Sequence, residues 1–175
     1  MDHNPKNVYS LKSVNRARIL ECIRRQPTSR IEISRQTGLT KSAVTMLTND
    51  MISEGLLYEL GLSEKSTTPG RTSILLDIVA DYAYAIGVTL HRRKIGVCIS
   101  DLKLNCIAKE NCETTLFNTP NEAVNWICSA INRISFEANI SLSKCIGIGI
   151  SSPGPLDYTN GVILEPPHFP LFHHY

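Results

Sequence analysis

Two helix starts and one helix stop fall within the twelve residues from Ser29 to Thr40, and no other stretch restricts the fold as tightly. Ser29-Arg30-Ile31-Glu32 has the S-x-x-E form of a capping box. In such a box the Ser29 hydroxyl accepts from the N–H of Glu32, and the Glu32 carboxylate reaches back to the N–H of Ser29. A short helix to about Thr37 follows, expected to bury Ile31, with Ile33 the second candidate. Gly38 tolerates positive φ and supplies a tight turn. Leu39 plugs the angle, and Thr40 suits the N-cap of a further helix, Lys41 to about Glu54, which Gly55 closes. Upstream, Val14, Ala17, Ile19, Leu20 and Ile23 recur at helical spacing, with Arg16, Arg18, Arg24 and Arg25 largely off that stripe. This predicts an amphipathic helix of roughly 13 residues, stopped by Pro27.

A capped helix, a glycine turn and a second capped helix form the layout of a helix-turn-helix. Val44, Leu47 and Met51 share one face of the second helix; Lys41, Ser42, Thr45, Met46 and Asn49 lie on others. A helix entering the major groove end-on needs short side chains in its first turns. Ser42 and Thr45 can hydrogen-bond base edges, and Ala43 or the Thr45 methyl can touch a thymine methyl. Arg30 and Lys41 suit phosphates, which position without reading sequence. Met46 either meets DNA or packs under a wing. That wing is the hairpin of Leu56–Leu60 and Ile74–Leu76 around the turn-rich Gly61–Gly70. Arg71 is placed for a phosphate or the minor groove. The candidate DNA contacts are therefore Arg30, Thr40, Lys41, Ser42, Thr45, Met46, Asn49 and Arg71.

Charge agrees with this reading. The whole chain carries only +2, yet Lys12 to Lys41 holds eight cations against Glu21 and Glu32, a local +6. Such asymmetry suits a polyanionic partner. A solvated helix face explains the same charges, and a three-helix unit without a ligand, or one gripping protein, remains open.

From Ala83 the pattern changes. Tyr84–Leu90, Lys94–Ser100 and Asn105–Glu110 read as three sequential strands, an antiparallel meander. Pro120 opens a helix whose stripe is Ala123, Trp126, Ile127, Ala130, Ile131 and Ile134, ending near Glu137. Lys144–Ile150 is expected as a buried strand, followed by the loop Ser151–Pro155. Open α/β sheets place ligands at such strand ends. Residues 161–175 show no closing element, and His168, His173 and His174 read as a polar tail.

Several function classes fail on motif grounds. Gly147-Ile148-Gly149 lacks the third glycine of a dinucleotide loop, there is no GxxxxGK[ST], and Gly149–Pro153 is not G-x-S-x-G. Six cysteines lack CxxC spacing, so reduced thiols are expected and no metal site. No apolar run reaches the length of a bilayer span and no secretory h-region opens the chain, so a cytoplasmic protein is the default.

Taken together, these residues resemble the ROK family, which groups sugar-responsive repressors with sugar kinases. Asn15-Arg16 with Ile19-Leu20, then Ser29 through Thr45, resemble the winged helix of the repressors; Gly70-Arg71 and Leu75-Leu76 resemble their linker. Ala85–Val88, Gly147–Ile150, Pro153–Asp157 and Gly161 resemble the family's first lobe. The resemblance implies an α+β chain. Residues 1–78 would be a winged helix-turn-helix and 79–175 an incomplete actin-like, sugar-kinase-like lobe. It implies a repressor of sugar metabolism bound to a double-stranded operator, with a sugar or sugar phosphate as effector and Pro153 and Gly154 bordering its site. No cofactor and no membrane partner are expected; a homo-oligomer is compatible with this reading. The alternative is a sugar-binding protein or vestigial sugar kinase. Against kinase activity, the family's D-x-G-x-T phosphate loop corresponds here to Thr89-Leu90-His91-Arg92-Arg93. Thr89 and His91 then stand at the Asp and Gly positions. Family members run to roughly twice this length, which implies a fragment or a truncated product.

Overall fold

The computed structural model describes residues 5–62 and 73–175, with side chains for 11–61 and 73–175. The chain divides into two compact units, Met1–Tyr82 and Ala83–Tyr175. Among the described residues no helix is long and apolar enough to cross a membrane.

The first unit contains helix α1 (Pro5–Arg25), the two-residue strand β1 (Thr28–Ser29), helices α2 (Arg30–Thr37) and α3 (Lys41–Ser53), and strands β2 (Leu57–Leu62) and β3 (Ile74–Ile78). Its sheet is antiparallel in the order β1-β3-β2, a winged helix in outline. α1 is longer than the 13 residues read from its stripe, because nothing between Pro5 and Arg25 breaks a helix. The stripe itself is narrower. Ile19 and Ile23 are buried, whereas Val14 and Ala17 are exposed. Lys12 and Arg16 of α1 are held by ion pairs, Lys12 to Asp50 of α3 at 2.8 Å and Arg16 to Glu54 at its end.

α2 corrects a second expectation. Ile33 is fully buried, but Ile31 is 57% exposed. Once Arg30 is the first helical residue, Ile31 lies two positions, about 200°, from Ile33 and cannot share its face. β1 is a strand that the sequence reading did not anticipate; Thr28 and Ser29 pair with Leu76 and Leu75.

The second unit opens with the expected meander: β4 (Tyr84–Leu90), β5 (Lys94–Asp101) and β6 (Cys106–Glu113). Helix α4 (Pro120–Glu137) then crosses to β7 (Cys145–Ser151), which pairs in parallel with β4. The order is β6-β5-β4-β7. Thr119 caps α4 by accepting from the N–H of Glu122 at 3.3 Å. Ile86, Val88 and Leu90 from β4, Ile95, Val97 and Ile99 from β5, and Ala123, Ala130, Ile131 and Ile134 from α4 form the core.

Strand β7 is not buried. Ile146, Ile148 and Ile150 are 71%, 58% and 67% exposed. β7 is the outermost strand, and α4 packs on β5 and β6, so β7 has a neighbour on one side only. The segment after it is also more ordered than a polar tail. A hairpin, β8 (Leu156–Asp157) with β9 (Val162–Ile163), is followed by a 3-10 turn at Pro170–Phe172. Phe169 and Phe172 are both 1% exposed, with ring centroids 5.1 Å apart. Two isolated aromatic anchors carry no periodicity, which is why the pattern gave no element there.

Candidate nucleic-acid interface

The geometry between α2 and α3 is set by short-range hydrogen bonds. Gly38 takes φ +73°, and its N–H donates to Ser34 O at 3.0 Å. Ser34 Oγ donates to Leu39 O at 2.7 Å, and Thr37 Oγ1 accepts from Leu39 N at 3.3 Å. The turn is thereby closed from both sides. Ser29 caps α2 by accepting from Glu32 N at 3.3 Å, but the reciprocal half of the box is absent. The Glu32 carboxylate instead accepts from Arg35 at 2.5 and 2.8 Å and from Gln36 at 2.7 Å. Those bonds, Arg35 first, hold Glu32 down to a pKa of about 2.

Thr40 caps α3 by accepting from Ala43 N at 3.2 Å. At the other end, Gly55 N donates to Ile52 O and Leu56 N to Met51 O, both at 2.9 Å, a Schellman closure. Val44, Leu47, Thr48 and Met51 are buried on the inner face of α3. Lys41, Ser42, Thr45, Met46 and Asn49 are all exposed on the outer one. Met46, at 57% exposure, faces outward. Ser42 Oγ lies 3.1 Å from Thr40 Oγ1, and Thr45 Oγ1 donates to Lys41 O at 2.8 Å. The Thr45 hydroxyl thus keeps acceptor capacity and its methyl.

A groove of about 390 Å³ runs beside this surface, lined by Ser29, Arg30, Ile31, Lys41, Thr45, Ser73 and Ile74. Ile31, Ser73 and Ile74 were missed as surface candidates. Apolar residues in short elements read as core, and only the helix start at Arg30 turns Ile31 outward. Arg71 lies outside the described residues.

The cations are arranged differently from the sequence count. Arg24 and Arg25 pair with Glu21, Arg35 with Glu32, and Arg30 with Glu59, at 2.5–3.1 Å. With Lys12 and Arg16 held by α3, six of the eight cations are in ion pairs. The partners Asp50, Glu54 and Glu59 lie beyond the +6 window, so over 12–60 the balance is eight cations against five anions, +3. Hydrogen bonds from Lys12 and Arg16 also lower the pKa values of Asp50 and Glu54 respectively. Arg18 and Lys41 have no ion-pair partner among the described residues.

In the second unit, an apolar cleft of about 540 Å³ lies between α4 and β7, lined by Val88, Ile127, Ile131, Ile148, Ile150 and Phe172 among others. Pro153 and Gly154 do not line it. Among the described residues no group of three or more His, Cys, Asp or Glu is placed to hold a metal ion, and the six cysteines are free.

Comparison with known proteins agrees with this geometry. Residues 14–61 match the IclR helix-turn-helix domain family. The chain is 28% identical over 157 residues to the xylose repressor of Bacillus spizizenii, covering 89% of this chain and 40% of that protein. It is 30% identical over 166 residues to the DNA-binding transcriptional dual regulator NagC of Escherichia coli, covering 93% and 39%. Among solved structures it is similar to a ROK family transcriptional regulator, a homologue of the E. coli MLC protein, with a TM-score of 0.64 and 19% identity over 91% of this chain and 40% of that one. The fold is shared, and the chain spans about two fifths of the length of the curated relatives it matches.

Proposed function

We propose that this chain is a DNA-binding, sugar-responsive transcriptional repressor of the ROK type. One observation carries the reading: Lys41, Ser42 and Thr45 are exposed together on the first turns of α3, while Val44, Leu47 and Met51 lock its opposite face. Similarity to a xylose repressor and to a DNA-binding transcriptional dual regulator along about nine tenths of the chain supports it. Residues 1–78 act as the winged helix, and residues 79–175 as the first lobe of a sugar-kinase-like domain.

In this mechanism α3 enters the major groove by its N-terminus. Ser42 and Thr45 meet base edges, Met46 lies against the groove wall, and Lys41 and the cap at Thr40 face phosphate. The N-terminal dipole of a 13-residue helix adds a favourable field for that phosphate. Arg71, outside the described residues, stays a candidate contact on its place in the sequence alone. Two copies on two half-sites would raise affinity, as is usual for such modules. A cytoplasmic location is part of this reading.

A sugar or sugar phosphate is the effector in this reading. Pro153 and Gly154, after β7, are where it would meet this lobe. The neighbouring cleft is lined mainly by apolar side chains and offers few partners for sugar hydroxyls. A non-catalytic role follows from Thr89 and His91 at the positions where the family's kinases hold Asp and Gly. A carboxylate to organise the nucleotide's metal is missing there.

The test is enrichment of duplexes from a random pool by the purified chain, followed by binding titrations. Ser42→Ala and Thr45→Ala are expected to relax base preference, and Lys41→Ala to weaken all duplexes alike. A pool that stays unenriched after repeated rounds defeats the reading.

A further inference from the structure

We propose that Arg30 is a positioning residue, not a phosphate contact, and that it fixes Asn49 as a one-way hydrogen-bond donor toward the nucleic acid. The inference rests on the DNA-binding reading above and refines it.

Arg30 opens α2, and its side chain is only 23% exposed. Its Nε donates to Thr48 Oγ1 at 3.1 Å. Nη1 and Nη2 both donate to Glu59 Oε1 at 3.0 Å, and Nη2 also donates to Asn49 Oδ1 at 3.0 Å. One guanidinium therefore ties the first residue of α2 to the third turn of α3 and to β2. The chain of bonds continues inward, since the buried Thr48 hydroxyl donates to Val44 O at 2.9 Å. Glu59 cancels the charge, so Arg30 adds little net attraction for a phosphate.

The chemistry of the pair fixes the amide. A guanidinium has five donors and no acceptor. Asn49 must turn its oxygen to Arg30, which turns its NH₂ away. Asn49 is exposed, and Nδ2 has no hydrogen-bond partner among the described residues. Bidentate reading of adenine by asparagine needs the amide oxygen facing N6 while the nitrogen faces N7. Here the oxygen is held against Arg30. Asn49 therefore offers donors to an acceptor on the duplex, either a base edge such as guanine O6/N7 or thymine O4, or a phosphate oxygen.

The experiment uses the full chain and a duplex that the wild type enriches from a random pool, titrated by fluorescence anisotropy across KCl concentrations. Arg30→Ala is expected to lower affinity about tenfold at every salt concentration, with an unchanged slope of log K against log salt. A slope flattened by about 0.9 means a lost phosphate contact and overturns the proposal. Asn49→Ala is expected either to relax preference at one base pair, which assigns a base edge, or to weaken all duplexes alike, which assigns a phosphate oxygen. No change in either respect overturns it. Asn49→Asp keeps an acceptor for Arg30 but replaces the outward donor with an acceptor. It is expected to melt at or above the wild-type temperature while losing binding; retained binding overturns the donor assignment even if Arg30→Ala does not fold. Without DNA, the Arg30 Nε proton should exchange with solvent more slowly than that of exposed Arg18, and equal exchange removes the network. A wild-type chain that enriches no sequence removes the regulator reading and the role of Asn49 with it, while the exchange measurement still decides the geometry around Arg30.

Discussion

Raising salt from 50 to 200 mM separates the charge that the sequence counts from the charge that the fold leaves free. Each neutralised phosphate contributes about −0.9 to the slope of log K against log salt. If all eight cations from Lys12 to Lys41 met phosphates, the slope would be about −7, and affinity would fall roughly 20,000-fold over that fourfold change. Six of the eight are paired within the unit, leaving Arg18 and Lys41. Two contacts give a slope of about −1.8 and a loss of roughly 12-fold. Lys6, Lys65 and Arg71, whose side chains are not described, raise the bound to five contacts, about −4.5 and roughly 500-fold. The slope per bound chain is therefore expected between about −1.8 and −4.5, measured by anisotropy with stoichiometry fixed by a tight-binding titration. Lys41→Ala should flatten it by about 0.9, and Arg24→Ala should leave it unchanged. A wild-type slope near −7 would mean that the ion pairs open on binding, and the charge argument would fail.

Further outcomes are specific. Gly55 sits at φ +79° with open space where a Cβ would be, so Gly55→Ala should destabilise the first unit through backbone conformation alone, by about 1–2 kcal/mol in chemical denaturation; an unchanged midpoint would contradict the role of the Schellman closure. Glu32 has its pKa lowered from about 4.5 to about 2 by Arg35 and then Gln36. Its stabilising contribution is therefore present above about pH 4.5 and lost as pH falls toward 2, and Glu32→Gln should remove that part of the acid dependence in thermal melts. Ile150→Lys on the exposed strand β7 should change stability by no more than about 0.5 kcal/mol, because the side chain is already two-thirds exposed. The same change should raise the concentration at which light scattering detects association, since an uncharged edge strand lacks the features that discourage pairing.

The capped helix pair was legible because each of its signals acts over three or four residues. Ser29, Gly38, Thr40 and Gly55 make the bonds expected of them to N–H and C=O groups within five positions. The meander and α4 were legible for a related reason: alternation and the Ala123–Ile134 stripe are periodic over a whole element. The outward set Lys41, Ser42, Thr45, Met46 and Asn49 follows from the same helical arithmetic.

What the sequence left open concerns partners distant along the chain. Ile148 and Ile150 look as apolar as Ile86 and Val88, yet the first pair lies on an edge strand and the second in the core. Strand order decides that, and no local pattern encodes it. Phe169 and Phe172 belong to one core cluster with Ile86, Val88, Ile95 and Val97 of β4 and β5, more than sixty residues away in sequence. The basic window loses half of its net charge, from +6 to +3, to Asp50, Glu54 and Glu59, brought beside it by packing of α3 and β2. Composition and spacing therefore determined which elements form and where they stop, because capping and periodicity are short-range. Only tertiary structure decided which faces are covered and which charges remain for a partner, because burial and ion pairing depend on whatever the fold places alongside.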